Sequence, residues 1–353
     1  MRKYYIDNLR WICILLLFPF HTFRVYNIGE NNYIKGVEFQ AASNFLSILW
    51  PWFMPLLFLL AGVSSVYALK NRTVKEYFKE RILKLLIPLI FGVLFSIPIL
   101  TYFAEVFHNG YTGNYFEQYI LFFTKFTDIT GYNGGFTPSH LWFILYLFII
   151  TIIALPIMYF YQKSTKKLSV HKTPLFVLFL FFIIPGFSQI IIDIDGKSVG
   201  EYFAWFLLGY FFISNDAIQE KLQKYRFLML GFSLLCIAVY VIFGRVIYNY
   251  NHIAYEFLYF IYAWVTILAI LGLGKKYLNF TNRTTTYLSQ SSFSIYIFHH
   301  QWIIMMAYFS LLWVDNIPLQ IILIMSISIV FTFLTHEVFK RFFITRFMFA
   351  IKK

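Results

Sequence analysis

Charge is what this sequence has least of. Lys, Arg, Asp and Glu make up 13% of its 353 residues, about half the share usual in a soluble domain, so the chain is too poor in charge to clothe itself for water. Cysteine is nearly missing. Cys13 and Cys236 both sit inside apolar runs, which excludes a disulfide framework and a thiolate metal site. Acids are scarcer than bases, 16 against 29, for a formal net charge of +13. In a soluble protein that balance points to nucleic acid; in a chain this greasy it points to basic loops on one side of a bilayer. The sequence holds no His-Glu-x-x-His, no Gly-x-Ser-x-Gly and no paired-cysteine zinc spacing, and its Asp195-Gly-Lys-Ser198 stretch lacks the leading glycine of a phosphate loop. Metalloprotease, serine hydrolase and ATP-driven pump lose ground accordingly. No metal, no nucleic-acid partner and no permanently bound cofactor is expected.

What is there is apolar: 60% of residues are hydrophobic and 23% aromatic. A membrane-crossing helix needs about 20 mostly apolar residues. Ten segments qualify, at 9–27, 45–69, 85–104, 140–161, 174–192, 200–214, 227–248, 254–272, 288–311 and 318–339, the sixth being short. With the N-terminus inside, 24 of the 29 basic residues fall in cytoplasmic segments and five, Arg24, Lys35, Lys125, Lys197 and Arg245, on the other side. That asymmetry predicts an even number of spans. The fold class expected is all-α: a polytopic integral membrane protein of about ten transmembrane helices with both termini cytoplasmic, one transmembrane domain over 1–353 with a short cytoplasmic tail from about 340. The first run has no small-residue cleavage site and reads as a retained helix. The longest outer loop, 105–138, is rich in Tyr, Gly, Thr and Asn, a composition suited both to a polyol ligand and to the aromatic belt of a membrane.

Ionisable groups within such helices cost roughly 2.5–3.5 kcal/mol at the bilayer centre and tend to mark function. In "RWICILLLFPFH", Arg10 and His21 lie eleven positions apart; helical geometry puts them on one face, about 16 Å apart along the axis. Pro19, two residues before His21, denies its N–H to the Leu15 carbonyl and is expected to kink the helix there. Arg81 and Lys84 precede a Leu-Leu-Ile-Pro, His140 and Trp142 open the fourth apolar segment, and Ser292, Tyr296, His299 and His300 lie along the ninth. Adjacent helical residues point about 100° apart, so only one of His299 and His300 is expected to share a cavity wall, and His300 is the one favoured. Each of these residues has a structural reading as well: snorkelling cations, an interfacial Trp, histidines that tie helices together.

Residues 5–21, "YIDNLRWICILLLFPFH", resemble the opening helix of the acyltransferase 3 family of polytopic membrane O-acyltransferases, in which Leu-Asp-x-Leu-Arg is followed by ten residues and a His. Asp7, Leu9, Arg10 and His21 match, while Ile6 replaces a Leu and Pro19 is atypical. "FKERILKLLIPLIFG" is similar to the family's basic approach to the third helix, with Lys84 in place of an Arg. "PSHLWFILYLF" and "SSFSIYIFHHQ" resemble two further family segments. The resemblance implies an O-acyltransferase that takes an acyl group, acetyl by default and succinyl as the alternative, from cytoplasmic acyl-coenzyme A as donor substrate to a hydroxyl of an envelope glycan, lipid-linked sugar or other carbohydrate. It implies a multi-pass protein of the bacterial cytoplasmic membrane, with membrane lipids, acyl-coenzyme A and a carbohydrate acceptor as partners. His21 would be the base or be acylated itself; the neutral imidazole suits either part. Arg10, Arg81 and Lys84 would hold the coenzyme phosphates, with Asp7 as structural support. His300 would assist the chemistry, and His140, Trp142 and Tyr296 would face the acceptor. A transporter or flippase of a lipid-linked sugar, and a non-catalytic scaffold, are the rival classes.

Overall fold

A computed structural model describes residues 3–165 and 170–352, the side chain of His171 excepted. Of the basic residues counted above, Arg2, Lys166, Lys167 and Lys353 lie outside the described residues. In chain order the helices are α1 (Tyr4–Arg24), α2 (Gln40–Lys70), α3 (Val74–Asn109), α4 (Tyr115–Phe122), α5 (Ser139–Lys163), α6 (Leu175–Ser188), α7 (Val199–Ile213), α8 (Asp216–Lys224), α9 (Arg226–Tyr250), α10 (His252–Tyr277), α11 (Arg283–Trp313), α12 (Ile317–Phe339) and α13 (Phe343–Met348). Strands are confined, among the described residues, to a two-stranded hairpin, β1 (Asp193–Ile194) with β2 (Lys197–Ser198). Its turn is the Asp195-Gly196 step of the "DGKS" stretch, both residues at positive φ, so that stretch has a structural explanation.

Eight of these helices, α1, α2, α3, α5, α9, α10, α11 and α12, are long and apolar enough to cross a membrane, and the chain is a multi-pass membrane protein. The fifth and sixth expected spans are α6 and α7, apolar but shorter than the other eight. At 1.5 Å per residue they reach roughly 20 Å each, less than the hydrocarbon thickness of about 30 Å.

The contacts gather into two compact units, each assembled from separate stretches: a first of Met1–Arg10, Ser47–Glu80 and Ile149–Asn282, and a second of Trp11–Leu46, Arg81–Phe148 and Arg283–Lys353. In the first, α10 is an inner helix, with 67% of its spanning window buried against 17% for α9. That difference follows from the sequence: α10 carries Trp264, Ala263, Ala269 and Gly272 where neighbours press close, whereas α9 turns Phe232, Leu235, Ile242 and Phe243 outward, as a lipid-facing helix does. Small residues set the closest crossing here. A Cβ on Gly62 would lie 2.0 Å from the Phe206 carbonyl oxygen, and one on Gly209 2.1 Å from that of Leu59, the backbone approach that membrane helices obtain with glycine. Asn8 adds two main-chain anchors, its amide donating to the carbonyls of Leu278 and Phe280.

In the second unit α11 is central, 61% of its window buried against 22% for α12. Proline shapes α3. Pro88 has no N–H for the Lys84 carbonyl and its ring crowds that carbonyl. The helix takes a π turn over Ile82–Leu86, where Ile87 N–H reaches back to Ile82. A second irregularity falls at Ser96, next to Ile97-Pro98, and the Ser96 hydroxyl donates to Gln301 Oε1 of α11 at 2.6 Å.

Candidate active site

Four imidazoles of the second unit meet in one cluster. The ring centroids of His21 and His300 lie 4.0 Å apart, with their planes 30° from parallel. His299 is 5.2 Å from His21, and His140 is 5.1 Å from His299 and 5.0 Å from His300. Three helices supply these rings. α1 delivers His21 and continues unbroken through Pro19 to Arg24, so the proline, whatever bend it gives, does not end the helix before the histidine. α11 supplies His299 and His300. Both border the cluster, which corrects the expectation that only one would. Their rings stand 5.8 Å apart at 17°, and the cluster is wide enough for each to meet His21 and His140.

His140 arrives through a strained corner. Ser139, the first residue of α5, has φ 49°, a left-handed conformation that costs a non-glycine residue about 1–2 kcal/mol. Local bonds hold it there: its N–H donates to Thr137 Oγ1 at 3.0 Å, and its hydroxyl lies 2.6 Å from the Tyr33 hydroxyl. Tyr33 in turn donates to the Thr130 carbonyl, so the Ser139 hydroxyl is the donor to Tyr33. Burial holds the Tyr33 phenol well above its ordinary range, which keeps it protonated as that donor. Its ring meets His300 edge-on at 5.3 Å.

Main-chain carbonyls orient two of the rings. His140 Nε2 donates to the Ile297 carbonyl at 3.0 Å, and His299 Nδ1 donates to the Tyr296 carbonyl at 2.6 Å. The Tyr296 hydroxyl donates to the His140 carbonyl. His299, His300 and His140 are 0%, 3% and 7% exposed, whereas His21 is only half-buried. His21 is therefore the imidazole a reactant reaches first. Trp142 begins the regular part of α5, its ring edge-on to Tyr146 at 5.3 Å, and Ser292 donates to the Ser289 carbonyl at 3.1 Å.

The expected phosphate-binding cations fall in different surroundings. In the first unit, Arg10 pairs with Asp7 at 3.3 Å and donates to Ser64 Oγ at 2.7 Å. Asp7 lies one turn before Arg10 on α1, and the guanidinium stays a third exposed. In the second unit, Arg81 is half-buried at the start of the π turn and Lys84 is exposed on it. π turns recur at functional sites; this one follows from Pro88.

Sequence reasoning missed Tyr33, Ser139, Arg24 and the full part of His299. Arg24 is one turn beyond His21 on α1; it pairs with Glu30 at 3.3 Å and its guanidinium lies over the Tyr132 ring at 5.3 Å. The i, i+3 spacing from His21 was the available signal. Tyr33 and Ser139 carried none, because only the folded loops bring them together. The 105–138 loop contributes Thr130 and Thr137 to this wall, and His108 Nε2 meets the Asn32 carbonyl at 2.8 Å. No set of three or more His, Cys, Asp or Glu side chains among the described residues is arranged to hold a metal ion. The cluster offers proton acceptors at a half-open histidine, backed by buried imidazoles, which is equipment for general-base or nucleophilic chemistry.

A family profile described as an acyltransferase domain matches residues 3–337 in one stretch. Curated relatives include glucans biosynthesis protein C of Salmonella schwarzengrund (strain CVM19633) and of Salmonella heidelberg (strain SL476), each 24% identical over 330 residues and covering 85% of this chain and 82% of the relative. The Salmonella typhi protein of the same name matches to the same extent. No solved structure matches the chain.

Proposed function

This chain belongs to the acyltransferase 3 family, and from that premise we propose that it is a membrane O-acyltransferase moving an acetyl group from cytoplasmic acyl-coenzyme A to a hydroxyl of an envelope carbohydrate. Family membership favours transfer chemistry over a transporter or a scaffold. The observation that carries the site assignment is the partly exposed His21 ring, its centroid 4.0 Å from that of the buried His300 and its plane tilted by 30°. The relatives' name makes a glucan the first acceptor to test, and the bacterial cytoplasmic membrane is the location that goes with it.

His21 takes the proton of the acceptor hydroxyl as the oxygen attacks the thioester carbonyl. The carbon–oxygen bond forms, the carbon–sulfur bond breaks, and the proton leaves His21 with the coenzyme thiolate. His300 packs on His21 and fixes its plane. Arg81 with Lys84, in the same unit as the histidines, bind donor phosphates from the cytoplasmic side; Arg10, in the first unit and steadied by Asp7 and Ser64, is a separate phosphate-binding candidate. His140 and Trp142 face the acceptor, and Tyr296 positions His140. Purified protein given radiolabelled acetyl-coenzyme A and a gluco-oligosaccharide is expected to form an acetyl ester, and His21→Ala to lose it. Labelled ester formed at the wild-type rate by His21→Ala would remove the base assignment; no ester from wild type with any glycan would remove the function.

A further inference from the structure

α12 turns Val330, Leu334 and Val338 outward, four residues apart along one face, the stripe of a helix that meets lipid. The helix stops at Phe339, but its apolar surface continues. Phe342, Phe343, Ile344 and Phe347 are each half to three-quarters exposed. Phe343, Ile344 and Phe347 share one side of α13, since positions i, i+1 and i+4 of a helix fall within about 100° of one another. The segment that carries them is firmly held. The Thr345 hydroxyl donates to the Phe339 carbonyl, Ala350 turns the chain back at φ 50°, and Phe349 and Ile351 are buried. The Phe349 ring lies 4.8 Å from that of Phe298 and 5.5 Å from that of Phe339. α13 also packs on the Ile87–Phe95 stretch of α3. The result is a hook with a buried inner side and an exposed, largely aromatic outer face.

Charge decides what covers that face. After Glu337 the sequence contains no acid, and Lys340, Arg341, Arg346, Lys352 and Lys353 supply five cations. Lys340 is engaged with Glu337 at 3.6 Å and lies over the Tyr287 ring. Arg341 is exposed just before the aromatic run, and Arg346 is half-buried within it, three residues after Phe343 and one before Phe347. An exposed apolar face edged with cations fits a partner that is apolar at one end and anionic at the other. A soluble anion, the coenzyme phosphates included, would leave the four apolar side chains in water. We propose that residues 341–352 form an interfacial hook in the leaflet at the C-terminal end of α12, with Phe343, Ile344 and Phe347 among acyl chains and Arg341 and Arg346 on the phosphates of anionic phospholipids. A guanidinium meets a phosphate through two parallel hydrogen bonds, and a cation beside an anionic leaflet is held there by the surface potential. The hook thereby selects among lipids, a property separate from the acyl chemistry.

The test titrates phosphatidylglycerol and phosphatidylcholine separately into the purified full chain in neutral detergent, with bound lipid read by native mass spectrometry. Wild type is expected to bind phosphatidylglycerol the more tightly, and added salt to narrow the difference. Arg341→Gln with Arg346→Gln is expected to weaken phosphatidylglycerol binding about fivefold for each charge removed and to leave phosphatidylcholine unchanged. Arg341→Lys with Arg346→Lys is expected to keep most of the preference, which separates lost charge from lost folding. Phe343→Ser with Phe347→Ser is expected to weaken both lipids alike. Equal binding of the two lipids by wild type, or an undiminished preference in the glutamine variant, overturns the hook. So does a glutamine variant that keeps its lipid but loses coenzyme A or a bound acidic protein, which would assign the arginines to donor phosphates or to that protein. None of these readouts involves acyl transfer, so a failure to form acetyl ester would remove the proposed function and leave the hook standing.

Discussion

Replacing His21 and His300 singly and together tests whether the paired rings work as a unit. A positioned general base contributes about 10²–10⁴ in rate, which is about 2.7–5.4 kcal/mol of barrier. His21→Ala is expected to lose that factor. His300 cannot take over, because it is 3% exposed and an acceptor hydroxyl has no path to it. His300→Ala removes the face on which His21 lies at 4.0 Å and lets that ring turn, for an expected loss of about tenfold, since misplacement of a reacting group by 1 Å can cost up to about a hundredfold. The double variant is expected to be no slower than His21→Ala, because orienting an absent base is worth nothing; independent contributions would instead multiply. The assay is transfer of label from acetyl-coenzyme A to a gluco-oligosaccharide, with thermal unfolding of each variant in detergent as the control for folding. Multiplying losses in a folded double variant would refute the pairing, and a His21→Ala variant within tenfold of wild type would refute the base.

Three further outcomes follow from the packing. Pro88→Ala restores the missing N–H and lets Ile82–Leu86 return from π to α spacing; the shift in register moves Lys84 relative to Arg81, so the KM for acyl-coenzyme A is expected to rise more than kcat falls, and unchanged steady-state kinetics would remove the π turn from donor binding. Gly62→Ala or Gly209→Ala drives a methyl group against a carbonyl about 2 Å away and is expected to destabilise by about 1–3 kcal/mol, seen as a lower unfolding temperature in detergent, whereas the same change at Gly231, which has open space around it, should not. Ser139→Gly gives up the bond to Tyr33 but relieves the left-handed backbone, while Ser139→Ala gives up the bond and keeps the strain; Ser139→Gly is expected to be the more stable of the two by about 1 kcal/mol, and the reverse order in thermal unfolding would show that no strain is held there.

The long helices were legible because their cause is local. A run of about 20 apolar residues has to satisfy its own backbone in lipid, and a helix is how it does so; eight of the ten expected segments are helices of spanning length, and the other two, α6 and α7, are the short ones. The Arg10 to His21 spacing was legible for the same reason, since both lie on one uninterrupted helix. Composition and local pattern thus determined by themselves that this is an all-helical membrane protein with charged and imidazole groups set into its spans. What they could not determine is which groups meet. His21, His140 and the His299–His300 pair come from α1, α5 and α11, and only packing decides that their rings close to within 6 Å. Adjacent positions on α11 looked like rivals for one wall because helical geometry separates them by about 100°; they both take part because partners stand on both sides. The tautomers were decided later still, by two carbonyls of α11 that happen to face ring nitrogens. Pairwise distance between remote residues is a property of the folded chain, and so is the direction in which each imidazole presents its lone pair.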